Sequence, residues 1–249
     1  MAKNLWTKEE HIIAFNYYCR IPFSRIDTSN PDVQELAKLI GRSVNAASMK
    51  LSNFARLDPE LQKRDISGLS HGSKLEKVVW DEFHNNWDEM LYESEKLIAK
   101  YKNKSLEELY DLDETSYKGL EKETTMKRRV NQKQFRNMVL ASFDHKCCIT
   151  GIEIGDLLIS SHIVPWRIDK KNRLNPRNGL CLNALHDKAF DTGLLTITPD
   201  YKIHLSQSLQ NTNYNFFIRY QNKPISLPNR FLPEKQFLEY HNKEIFIDN

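Results

Sequence analysis

His162, Asn178, Asp187 and Asp191 fall in that order within one stretch, Ile159 to Ile197, and their types suit one chemistry. An imidazole titrates near neutrality, so His162 is a candidate to take a proton from water. Asp187 and Asp191 lie four residues apart, and a helix would set both carboxylates on one face. Oxygen ligands of that kind suit a hard divalent cation such as Mg²⁺ or Mn²⁺. Such a cation steadies charge on a phosphorane and on a leaving oxygen. Parts of this kind suit metal-assisted hydrolysis, and a phosphodiester is a substrate they could serve. His186 adjoins Asp187 but points about 100° away around a helix, so it ranks third as a metal ligand.

Three elements must position these side chains. Leu157 to Ile163 is a short apolar strand that delivers His162 near its end. A polar loop follows, carrying Arg167, Lys170, Lys171, Arg173 and Arg177 and closed by Asn175, Pro176, Arg177 and Asn178. Positive charge there suits a phosphate backbone close to the scissile bond. An apolar turn of chain leads into HDKAFD, which has helical spacing. Upstream, Glu153 to Asp156 reads as a hairpin loop. Downstream, Leu194 to Thr198 and Lys202 to Ser206 read as a closing hairpin, followed by a short helix, FLEYHNKEIF. Trp166 and His241 read as structural.

The stretch resembles the HNH endonuclease family, in the subgroup whose signature runs roughly sHI-P-W, NG-L and hD-FD-G. Cys148-Ile149-Thr150-Gly151 resembles that family's entry turn. The resemblance implies a ββα-metal fold with His162 as general base. Asn178 would orient the base or ligate the ion, and Asp187 and Asp191 would hold Mg²⁺ or Mn²⁺, with His186 a lesser ligand. Two positions depart from the commoner pattern. Ser161 stands where many relatives carry an Asp or His ligand, and Asp187 where many carry His. None of Cys19, Cys147, Cys148 and Cys181 forms a C-x-x-C pair, so no structural zinc is expected, and Cys148 and Cys181 read as packed thiols in a reducing compartment.

The 249 residues carry 40% hydrophobic and 28% charged side chains and a net charge of +3, which describes an ordinary, mildly basic globular protein. No stretch has the length or hydropathy of a signal peptide or a bilayer span, so a cytoplasmic protein without a membrane partner is expected. An α+β chain is expected: a helical, helix-turn-helix-like domain over 1–102, a linker over 103–125, and an HNH nuclease domain over 126–249. Thr7 and Glu10 form a capping box for the first helix, which Ile21-Pro22 ends. Asn30 and Pro31 open a second helix, Gly41 stops it, and Ser43 caps a third. That pair outlines a helix-turn-helix. Its outward face is expected to present Arg42, Asn45, Ser48, Lys50, Ser52 and Asn53. With Ser43, and with Arg167, Lys170, Arg173 and Arg177 of the later loop, these are the candidate DNA contacts. The segment ELAKLIGRSVNAASMKLSNF is similar to the small N-terminal domain of some predicted HNH restriction nucleases. One long helix is expected from Ser73 to about Lys102.

The function this implies is a metal-dependent endonuclease acting on double-stranded DNA in restriction or defence. One such site cuts one strand, so a homodimer is what a double-strand cut at a symmetric site would need. Two alternatives stay open. One is a sequence-specific DNA-binding protein with a degenerate nuclease fold, which Ser161 favours. The other is a mobile-element homing nuclease.

Overall fold

The computed structural model describes residues 5–65, 72–84, 86–110, 119–212 and 215–248. The chain forms two compact units, Met1–Gln134 and Phe135–Asn249. The first is helical and the second mixes helices with two small sheets, so the chain is α+β.

The first unit is built around α1 (Lys8–Arg20), which is buried along nearly its whole length. Thr7 and Glu10 close the capping box at its start, and Ile21 ends it ahead of Pro22. Against it lie α2 (Pro31–Leu39) and α3 (Val44–Ala55), capped by Asn30 and Ser43. Gly41 makes the turn between them at φ +65°, a conformation that suits glycine. Asp58 caps the short α4 (Pro59–Gln62). Phe15 is the hub of the core, with Phe54 and Trp80 rings 5.2 and 5.5 Å away.

The expected single helix after Ser73 is two helices, α5 (Lys74–Phe83) and α6 (Trp87–Tyr101). Asn86 takes the cap position at φ −122°, ψ 60°, and asparagine favours such sites over helix interiors. The stretch expected as a polar linker also holds helix. Ser105 and Glu108 bond reciprocally, side chain to backbone, and so start α7 (Leu106–Tyr110). The long α8 (Gly119–Ser142) begins in the first unit and ends in the second. Residues 111–118 of that expected linker lie outside the described residues.

In the second unit β1 (Leu158–His162) pairs antiparallel with β2 (Gly179–Asn183), with His162 opposite Gly179. The segment expected as an apolar turn is therefore a strand. All five of its residues are buried, so it lacks the alternation that marks a half-exposed strand. The hairpin connection is the loop 163–178. Gly155–Leu157, expected in part as a hairpin loop, is a 3₁₀ turn that feeds β1. Helix α9 (Ala184–Asp191) follows β2 directly and packs on both strands. Then come β3 (Leu195–Ile197) and β4 (Ile203–Leu205), paired as a second hairpin, α10 (Gln207–Gln210), α11 (Asn215–Ile218) and α12 (Lys235–Glu244). Asn242 ties α12 to β3 through the Ile197 carbonyl.

Candidate active site

His162 is held on three sides. Its Nε2–H donates to the Arg173 carbonyl at 2.8 Å. A carbonyl only accepts, so this bond fixes the tautomer and leaves Nδ1 as the ring's base. One face of the imidazole lies on Phe135 of α8, with centroids 4.2 Å apart and planes 10° from parallel. Trp166 meets the ring edge-on at 5.5 Å, and the Arg173 guanidinium lies 4.9 Å over that indole. Burial holds the His162 pKa below its ordinary value, and the Arg173 bond offsets part of that shift. The neutral ring a base requires is thus the form present at neutral pH.

Asn178 is fully buried and pairs with the loop backbone. Its Oδ1 accepts from the Val164 N–H at 2.8 Å, and its Nδ2 donates to the Val164 and Asn172 carbonyls. Its own carbonyl takes the Ile163 N–H. The side chain therefore clips together the two ends of the loop that brings the Arg173 carbonyl to His162. Asn178 was expected to orient the base or ligate an ion; among the described bonds its side chain holds the loop backbone at Val164 and Asn172, next to the carbonyl that receives the His162 Nε2–H.

Asp187 and Asp191 share a face of α9. Asp187 is half-buried, while Asp191 keeps contact with solvent. Burial raises both pKa values, and the Asp187 charge raises that of Asp191 further. The Ser161 hydroxyl is buried and faces Asp187, lowering its pKa a little without closing a hydrogen bond of normal geometry. Two partly desolvated carboxylates that repel one another fit a hard cation, which would relieve both penalties. No group of three or more His, Cys, Asp or Glu converges among the described residues. Such an ion would thus take two protein carboxylates, with water and substrate phosphate completing its shell, as Mg²⁺ commonly does.

His186 lies elsewhere. Its ring is buried among Phe216, Phe217 and Tyr220, with centroids 5.1 to 5.6 Å away. Its Nδ1–H donates to Asn183 Oδ1, and burial pushes its pKa down to about 4. The helical rotation that separates it from Asp187 puts it in the core. Asn183, absent from the sequence reading, caps α9 by accepting from the Leu185 and His186 N–H groups and reaches back to Thr150.

His162, Arg167, Asp191, Thr192 and Glu244 line one cleft of about 340 Å³, together with Ile245 and Ile247. A histidine at a strand end, a clipped loop, a return strand and a helix bearing two carboxylates make a ββα unit. Residues 147–198 match the HNH endonuclease family. The match takes in β1, the loop, β2, α9 and β3 of the second unit. A comparison with curated proteins finds no match. Two residues beside His162 and the cleft lie outside the matched residues: Phe135 upstream, which stacks on His162, and His241 downstream, which also lines the cleft. Both ring nitrogens of His241 are bonded within the fold. Its Nε2–H donates to the Phe190 carbonyl, its Nδ1 accepts from Thr196, and it stacks on Phe190 at 3.7 Å.

Of the expected DNA contacts in the loop 163–178, Arg167 and Lys170 are exposed, as is Lys171, while Arg173 and Arg177 are half-buried. In the first unit, Ser43 serves as a helix cap. Asn45 is exposed and Ser48 half-exposed on α3. Arg42, Lys50 and Asn53, expected on an outward face, turn inward. Arg42 pairs with Glu10 at 2.8 Å and lies over Trp6. Lys50 and Asn53 both donate to Glu76, a fully buried carboxylate on α5 that Arg56 also contacts. Lys50 also donates to His11 Nε2, whose Nδ1–H is spent on the Thr7 carbonyl. Helical period assigns these residues a face, but long polar side chains reach sideways to a buried charge that must be paired.

Proposed function

We propose that this protein is a divalent-metal-dependent endonuclease that hydrolyses phosphodiester bonds in double-stranded DNA. The observation that supports it most is His162: one ring nitrogen bonded to a carbonyl, the other left as a base, in a cleft shared with Arg167 and Asp191. His162 Nδ1 takes the proton from the attacking water. Arg167 pairs with a phosphate beside the scissile bond. Asp187 and Asp191 would hold the cation, which supplies charge neutralisation at the phosphate and the leaving oxygen. Asn178 keeps the loop closed, and with it the Nε2–H bond that gives His162 the right tautomer.

The setting we propose is restriction or defence in the cytoplasm, with the helical N-terminal part (1–102), joined through 103–125, contributing DNA contacts through Asn45 and Ser48 to the nuclease part (126–249). A homodimer would deliver cuts in both strands at symmetric sites. No helix of the described residues is long and apolar enough to cross a membrane.

The test is cleavage of methylated and unmethylated plasmid DNA with Mg²⁺, Mn²⁺ or EDTA, by the wild type and His162→Ala. Metal-dependent cutting should fall on the order of 10²- to 10⁴-fold in the variant, the worth of a positioned base. Undiminished cutting by His162→Ala would sink this assignment. One observation favours a second reading, a degenerate nuclease fold that only binds DNA: Ser161 faces Asp187 where a third ligand would help hold an ion. Shift-assay binding without cleavage in any metal would select it.

A further inference from the structure

We propose that Phe135 is a positioning residue for His162: its ring is the platform that sets the plane of the imidazole, and Gly179 is the gap that admits it. The inference rests on the reading of His162 as general base. A lone pair on Nδ1 lies in the plane of the ring, so the ring plane decides where the base points. The bond from Nε2–H to the Arg173 carbonyl fixes one corner of the imidazole. A ring held at one corner can still rock about that corner. A flat apolar surface along its face removes the motion, and Phe135 provides one at 4.2 Å and 10°. Trp166 stands at 90° to the imidazole and bounds its edge.

Gly179 supports the same assignment independently. It sits opposite His162 in the β1–β2 register. Its backbone, at φ −130° and ψ 147°, is ordinary extended chain that any residue adopts. Conformational freedom therefore does not require glycine here; space does. A Cβ at 179 would lie 2.4 Å from Val139 Cγ2 and 3.1 Å from Phe135 Cζ. The strand opposite the base has no side chain where α8 passes, and that lets the Phe135 ring reach His162. Phe135 is 1% exposed, so nothing on the surface would betray its part. It also lies outside the matched residues 147–198.

The experiment compares Phe135→Met with Met138→Ala in the full-length protein. Both remove buried apolar contacts from α8, but only the first removes the flat face. Phe135→Met should lower kcat roughly 10- to 100-fold with KM unchanged, the cost of a misplaced reacting group. Met138→Ala should keep kcat. In the wild type, ring-current shielding should move the His162 carbon-bound protons upfield in NMR spectra, and Phe135→Met should abolish that shift. Wild-type kcat in a folded Phe135→Met protein would overturn the proposal, as would equal losses in the two variants. If Phe135→Met does not fold, the wild-type spectrum decides: upfield-shifted His162 protons sustain the platform and unshifted ones overturn it. Full activity in His162→Ala would instead remove the general base itself, and this proposal with it; loss in His162→Ala but not in Phe135→Met would remove this proposal alone.

Discussion

Gly179→Ala is the smallest change that presses on the site, and its cost follows from one distance. The added Cβ would stand 2.4 Å from Val139 Cγ2 and 3.2 Å from the Pro176 carbonyl oxygen. Carbon atoms in good contact sit about 3.5–4.0 Å apart, so α8 and the hairpin must part by about 1 Å. Overpacking of this kind costs about 1–3 kcal/mol. Because the clash is mainly with a side chain, Val139→Ala should relieve part of it. The double variant should then be more stable than the two single losses predict, by about 0.5–3 kcal/mol of coupling. The assay is urea unfolding read by hydrogen exchange at the β1–β2 amides, which isolates the second unit's transition. An unchanged midpoint in Gly179→Ala would refute the steric argument. Strictly additive losses in the double variant would refute the assignment of the clash to Val139.

Three more outcomes follow from the same reasoning. His186 and His241 are each pushed down from 6.5 to about 4. Their neutral forms therefore stabilise the fold above about pH 6.5, and that stability drains away as pH falls toward 4, by about 3 kcal/mol for each; acid unfolding that starts only below pH 4 would contradict this. Asp187 and Asp191 carry raised pKa values, so their ionised pair costs stability at neutral pH. Asp187→Asn should melt higher than wild type in EDTA, whereas Mg²⁺ or Mn²⁺ should raise the wild-type melting temperature and leave the variant's unchanged. Lys50→Met removes one of three donors to the fully buried Glu76, leaving Asn53 and Arg56, and should destabilise the first unit by about 1.5–3 kcal/mol, the worth of a hydrogen bond to a charged group, whereas Asn45→Ala should leave its melting curve unchanged and weaken DNA binding.

Local chemistry was legible in the sequence wherever neighbours in the chain decide it. The Thr7–Glu10 box, the Asn30 and Ser43 caps and the Gly41 turn all involve residues within four positions of one another. The order of His162, Asn178, Asp187 and Asp191 likewise carries its own meaning, because a strand end and a helix face are short-range objects. What stayed illegible spans distance. Arg42 meets Glu10 and Lys50 meets Glu76, partners 32 and 26 residues away, and no periodicity announces such pairs. The contact of Phe135 with His162, 27 positions along the chain, exists only once the hairpin folds onto α8. Strand β2 was hidden for the opposite reason: buried on both faces, it offers no alternation to read.

The inward turn of Lys50 has a consequence for ionic strength. It is the one charged residue of α3, VNAASMKLSNFA, and it is spent on Glu76. The exposed side of α3 around Asn45 and Met49 is uncharged. Docking that side on DNA would displace few condensed counterions, so it would add base contacts without steepening the fall of affinity with salt. The steepness would then come from elsewhere, and Arg167, Lys170 and Lys171 of the loop 163–178 are exposed and could supply it. Sequence preference and salt sensitivity would then belong to different parts of the chain, and each could be tuned without disturbing the other.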